Sequence, residues 1–151
     1  MWQLRRVTSL VQIVISSILF LWLLLCSIQD IKRKRINIYL LFIGFLVLLL
    51  CTIWNQEVHL FYSLGGISIG LILLGISFIT RGQIGMGDGL IVCITGMSLG
   101  FTKNAMLLGF GLFGSAIFSM ILLSFKLANR KKTIPFVPFL LCGYVGVLLF
   151  G

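Results

Sequence analysis

Residues 7–28 read VTSLVQIVISSILFLWLLLCSI, and residues 29–37, QDIKRKRIN, follow them directly. The first stretch carries no charge, and a helix needs about 20 predominantly apolar residues to cross a bilayer. Arg5 and Arg6 precede it, as in a secretory signal peptide. However, the apolar stretch is longer than the core of such a peptide, and the cationic cluster after it is typical of a membrane stop. We therefore expect a retained transmembrane helix.

The composition extends this interpretation to the whole chain. Hydrophobic residues make up 60% of the 151 residues and charged residues 10%, and the mean hydropathy is +1.18. That is more apolar surface than a water-soluble core can bury. We predict an all-α integral membrane protein whose single domain, residues 1–151, is one polytopic helix bundle. We place six spans at residues 7–28, 37–54, 58–79, 90–101, 105–125 and 134–150. The short fourth span is either tilted, extended through residues 85–89, or matched by a thinned bilayer.

The positive charges predict the orientation in the membrane. Nine of the twelve cations follow the first, third and fifth spans: Lys32, Arg33, Lys34, Arg35, Arg81, Lys126, Arg130, Lys131 and Lys132. Short cationic loops remain in the cytoplasm, so we expect both termini outside. The net charge of +9 also favours contact with anionic lipid headgroups. Nucleic-acid binding is a poor alternative, because the cations flank spans and are not interleaved with exposed aromatic residues.

Small residues four positions apart predict close helix packing, since backbones approach where side chains are small. These pairs are Gly66/Gly70, Gly96/Gly100 and Gly111/Ser115. The four cysteines are scattered through four spans, without a CxxC pair or a histidine at ligand spacing. His59, beside Glu57 on the expected outer side, is a poor candidate for a metal ligand or a catalytic group. We expect no metal site and no cofactor.

Two of the three acidic residues, Asp30 and Asp88, lie at the ends of predicted spans on the expected cytoplasmic side. A carboxylate is costly to place at a membrane span, so each suggests a function. Asp88 belongs to Gly85-Met86-Gly87-Asp88-Gly89, where glycines would let an extended peptide approach the acid. A structural turn with a helix-capping Asp88 is the alternative. Paired acids are typical of hydrolysis: one removes a proton from water, and the other polarises the scissile carbonyl.

These motifs resemble those of the type IV prepilin peptidases, membrane aspartyl proteases with a GxGD motif. The family pairs an Asp followed by basic residues and an Ile-Pro-Asn-like step, here similar to Asp30 through Asn37, with a later Gly-x-Gly-Asp, here 85–88. Residues 134–139, IPFVPF, are similar to the Pro-Phe-x-Pro segment that opens the family's last helix. The resemblance implies that Asp30 and Asp88 are catalytic. It also implies an active-site loop formed by Gly85, Met86, Gly87, Gly89, Arg35 and Asn37.

The resemblance further implies the substrate and the location. It implies removal of short basic leaders from pilin-like precursors at the cytoplasmic face of the bacterial cell membrane. The zinc-associated cysteine pairs of larger, methylating members have no counterpart here, so we expect a peptidase without methyltransferase activity. Asn37 stands where many members have Pro, and its side chain can cap the second helix. Leu90 stands where many members have Lys.

Two other functions stay open. A small transporter or assembly subunit could use both acids to bind a cation or relay protons, although such acids usually lie nearer the middle of the bilayer. An inactive relative that only binds pilin-like segments would keep the same fold. For the enzyme, helix dipoles favour Asp88 as the anion, whereas cations beyond Asp30 favour Asp30. The sequence therefore predicts a coupled pair without assigning the shared proton.

Overall fold

The computed structural model of the protein describes residues 2–33, 36–54, 60–80, 85–125 and 135–150. Within these ranges the regular structure is entirely helical, which confirms the all-α prediction. The five helices are α1 (Trp2–Arg33), α2 (Ile38–Trp54), α3 (Leu60–Ile79), α4 (Met86–Ser124) and α5 (Val137–Phe150).

Three helical stretches of the described chain are long and apolar enough to cross a bilayer: Val11–Arg33, Phe61–Ile79 and Met86–Ser124. Two shorter apolar helices, Ile38–Ile53 and Val137–Phe150, accompany them. Large apolar side chains cover the outside of the bundle, as with Phe61 at 88% and Phe150 at 82% exposure. Such a surface suits a lipid environment, since soluble monomers rarely expose extensive apolar patches.

The long helix α4 reverses direction at Gly100. This residue has φ 73° and ψ −176°, which are not helical values. Asn104 Nδ2 donates to the carbonyl of Val92 at 3.0 Å, although a straight helix would separate residues 12 apart by about 18 Å. We call residues 86–99 the first arm of α4 and residues 101–124 its second arm. Both ends of α4 therefore lie at the same end of the bundle.

Glycines bring α3 and the first arm of α4 into backbone contact. A Cβ on Gly66 would overlap the backbone of Gly96, and one on Gly96 would overlap that of Gly66. A Cβ on Gly70 would overlap Cys93. The predicted close approach at these glycines is confirmed. At Gly100 a Cβ would overlap the Tyr62 ring, so glycine is required there for both space and backbone angle.

Asn104 links the second arm of α4 to α3 and to the first arm by hydrogen bonds. Its side chain is fully buried and donates to the Gly66 and Val92 carbonyls, both at 3.0 Å. Its Oδ1 accepts the Thr95 hydroxyl at 2.9 Å. Three partners satisfy a buried amide that would otherwise be unfavourable in an apolar core.

The core lies where α1, both arms of α4 and α5 meet. Its fully buried members include Leu23, Ile91, Leu107 and Tyr144. The Tyr144 hydroxyl donates to the Ser16 carbonyl at 3.0 Å, which ties α5 to the middle of α1. Asp30 near the end of α1 bonds to Val137 at the start of α5, and Ile36 after α1 meets Gly87 at the start of α4. These three helix ends therefore lie at one end of the bundle.

Candidate active site

Asp30 lies in the last turns of α1, which continues past it to Arg33. The side chain is only 7% exposed. Its Oδ2 accepts a hydrogen bond from the backbone N–H of Val137 at 3.1 Å. A buried carboxyl is unfavourable without such a partner, and here the first residue of α5 supplies it.

Asp88 lies in the first turn of α4 and is half-buried. The sequence placed the start of the fourth span at about Leu90 and left open its extension through residues 85–89, and in the structure α4 begins at Met86 and includes this extension. The N–H groups of Asp88 and Gly89 already donate to the Gly85 carbonyl, at 3.0 and 3.4 Å. Residues 86–89 of the glycine motif therefore form the first turn of α4. Gly85 occupies the N-cap position, and Asp88 is the third residue of the helix.

The three glycines around Asp88 each leave room for a different neighbour. A Cβ on Gly85 would lie 2.8 Å from the Asp88 Oδ2 atom, so the carboxyl folds back over the helix terminus. A Cβ on Gly87 would lie 2.9 Å from Ile36 Cδ1, and one on Gly89 would lie 2.8 Å from Leu74 Cδ2. Both distances are shorter than van der Waals contact. The alternating glycines thus let the start of α4 fit between α3 and the link from α1 to α2.

This packing brings the two acids together. Asp30 and Asp88 come from different helices and are 58 positions apart in the chain, but the contact of Gly87 with Ile36 joins the segment after Asp30 to the start of α4. Gly85 is exposed, and a Cβ there would lie 2.8 Å from the Asp88 Oδ2 atom, so the Asp88 carboxyl lies next to an accessible surface. Two acids in a partly enclosed setting can polarise a carbonyl and activate a water molecule together.

Asn37 has a structural role at this end of the bundle. Its Oδ1 accepts the N–H of Tyr39 at 3.3 Å, which confirms the prediction that Asn37 caps α2. Its own N–H donates to Gln29 Oε1 at 3.1 Å, linking the start of α2 to α1 one residue before Asp30. Arg35, the other residue expected near the site in this segment, lies outside the described residues.

Sequence reasoning missed Val137 as a neighbour of Asp30. The IPFVPF segment indicated the start of a helix, but a backbone donor leaves no signature in the side-chain pattern. Likewise, the contacts of Ile36 and Leu74 with the motif glycines depend on tertiary packing. The sequence feature that could have located the Val137 contact is the pair Pro135 and Pro138, because prolines are favoured in the first turn of a helix and so indicate where α5 begins.

A helical membrane bundle with a pair of acids at one end is the arrangement expected of an intramembrane aspartic peptidase. The chain belongs to the type IV leader peptidase family, whose model matches residues 17–125. The matched range includes both aspartates and ends before α5. Membership implies an aspartic peptidase with prepilin-like substrates. No curated protein and no solved structure matches the chain.

Proposed function

We propose that the protein is an intramembrane aspartyl endopeptidase that removes the short basic leader from pilin-like precursors. Asp30 and Asp88 are its catalytic pair. The observation that supports the proposal is that Gly87, next to Asp88, packs against Ile36, six residues after Asp30, which puts the two acids at the same end of the bundle. Gly85, whose Cβ position approaches the Asp88 carboxyl, is exposed there.

The pair supplies the chemistry that peptide hydrolysis needs. Two carboxyls that interact closely favour a state with one shared proton, because two like charges in a low-dielectric site repel. The ionised partner takes a proton from water as the water attacks the carbonyl carbon, and the protonated partner donates a hydrogen bond to the carbonyl oxygen. No cofactor or methyl-group donor enters this reaction.

The charge pattern supports a location at the cytoplasmic face of the membrane. Lys32 and Arg33 form the basic last turn of α1, shortly after Asp30, and nine of the twelve cations follow the first, third and fifth predicted spans in the sequence. Cationic loops remain on the cytoplasmic side. The site would therefore meet precursors whose basic leaders have not crossed the membrane.

The motif residues at the helix start fall into two pairs with separate roles. Gly87 and Gly89 hold α4 against Ile36 and Leu74, so they shape the site, whereas Gly85 and Met86 are exposed and are free to meet substrate. Glycine at position 85 leaves the Asp88 carboxyl accessible, since a side chain there would approach it closely.

Co-expression with a pilin-like precursor tests the proposal. The size of the precursor is followed on a gel for the wild type, Asp30→Asn, Asp88→Asn and Glu57→Gln. The first two remove a catalytic carboxyl without changing its shape, and Glu57→Gln makes the same change at the third acidic residue. We expect processing by the wild type and Glu57→Gln only. Normal processing by both aspartate variants, at normal membrane levels, would contradict the proposal and favour a binding or transport function.

A further inference from the structure

The start of α5 holds Asp30 in place from a distant part of the sequence. Val137 is fully buried, and Asp30 is nearly so. The bond from the Val137 N–H to Asp30 Oδ2 joins residues 107 positions apart. Val137 also lies beyond residues 17–125, the range that the family model matches.

The first turn of α5 directs this donor to Asp30. The N–H groups of Phe139 and Leu140 donate to the Phe136 carbonyl at 3.0 and 3.3 Å, and Pro138 has no N–H. The first N–H groups of a helix lack partners within the helix. In α5, Asp30 Oδ2 is the partner of the Val137 N–H.

We propose that Val137 is a positioning residue of the peptidase, whose backbone N–H fixes the Asp30 carboxyl in the orientation needed beside Asp88. An aspartate carboxyl otherwise rotates over a broad range about its last torsion, and a hydrogen bond to one oxygen selects one orientation. This inference rests on the proposed function, because the orientation matters only if Asp30 takes part in the reaction.

A proline at position 137 would remove the donor while preserving the helix. Proline is favoured at the first position of a helix, and Phe136 before it is not helical, as a residue preceding proline prefers. Val137→Ala is the matched control, because it removes more of the buried side chain but keeps the N–H. A packing defect would therefore affect the alanine variant at least as strongly.

Cleavage kinetics of the purified protein in liposomes, with a synthetic pilin-like precursor, test the inference. A hydrogen bond to a charged group corresponds to roughly a 10- to 100-fold effect. We expect kcat of Val137→Pro to fall by that factor with KM unchanged, and kcat of Val137→Ala to stay at least about tenfold higher than that of the proline variant. Equal kcat values for the two variants would overturn the positioning role while leaving the proposed function intact. An inactive wild type, or an active Asp30→Asn, would contradict both.

A second measurement does not depend on activity or on the folding of Val137→Pro. The chain has nine valines, so ¹⁵N-valine labelling gives a simple amide spectrum in micelles, in which Val137→Ala identifies the Val137 signal. In Asp30→Ala we expect the Val137 signal to shift more than the signals of Val145 and Val147 in the same helix. We also expect the hydrogen exchange of the Val137 amide to become roughly tenfold faster. A Val137 amide that behaves like those of Val145 and Val147 would overturn the inference.

Discussion

Replacing Asn104 with alanine should destabilise the bundle without removing Asp30 or Asp88. Asn104 is fully buried and makes three hydrogen bonds, to the carbonyls of Gly66 and Val92 and from the hydroxyl of Thr95. The Gly66 bond joins the second arm of α4 to α3, and the other two join it to the first arm. The substitution therefore loosens the reversal of α4 and its attachment to α3 together.

The size of the effect follows from the number of bonds. Side-chain hydrogen bonds between membrane helices average about 0.6 kcal/mol, and hydrogen bonds in soluble proteins contribute about 1 kcal/mol. Three such bonds give about 2 to 3 kcal/mol at these values. We therefore expect Asn104→Ala to lower the free energy of unfolding by that amount.

Reversible unfolding in mixed detergent micelles measures this change. Thr102→Ala is the matched control, because Thr102 is exposed in the same arm two residues away. Surface substitutions of this kind usually change stability by less than about 0.5 kcal/mol. If Asn104→Ala and Thr102→Ala differ by less than about 0.5 kcal/mol, the Asn104 network does not hold the reversal and the reasoning is refuted.

Three further substitutions test the packing and the helix starts. Gly66→Ala should lower the melting temperature markedly, because its Cβ would overlap the facing helix. Gly75→Ala is the control: its Cβ would meet open space, so this variant should be neutral or stabilising. Equal melting temperatures for the two variants would contradict the close packing at Gly66. Gly100→Ala should reduce the folded yield in membranes, since it requires φ 73° and space occupied by Tyr62; a normal yield would count against the reversal. Asn37→Ala should cost about 1 kcal/mol of unfolding free energy through loss of the α2 cap, and no measurable loss would argue against that cap.

The sequence predicts much of this fold because its strongest signals are local. Uninterrupted apolar stretches indicate membrane helices directly, and the spacing of Gly66, Gly70 and Gly96 indicates where backbones approach. Asn37 before an apolar stretch predicts a helix cap. These features depend on residue type and spacing alone, which a single sequence contains.

The remaining features depend on tertiary contacts. Glycine has a low helix propensity, so the sequence left open whether residues 85–89 extend the fourth span, whereas the structure includes residues 86–89 in α4 and packs them against Ile36 and Leu74. Asn104 is conspicuous as a polar residue in an apolar segment, but its partners lie 12 and 38 positions away. The two aspartates could be predicted as a pair, but the hydrogen bond that orients one of them could not.

The central claim is that Asp30 and Asp88 act as one catalytic unit, and a double-mutant cycle on the purified protein tests it most directly. Single-turnover cleavage of a pilin-like precursor is measured for the wild type, Asp30→Asn, Asp88→Asn and the double variant. We expect each single substitution to reduce the cleavage rate by a factor of roughly 10² to 10⁴. The double variant should be no slower than the single variants, because the effects of substitutions within one catalytic unit are not additive. A single variant that keeps wild-type activity, or a double variant slowed by the product of the two single effects, would contradict the claim.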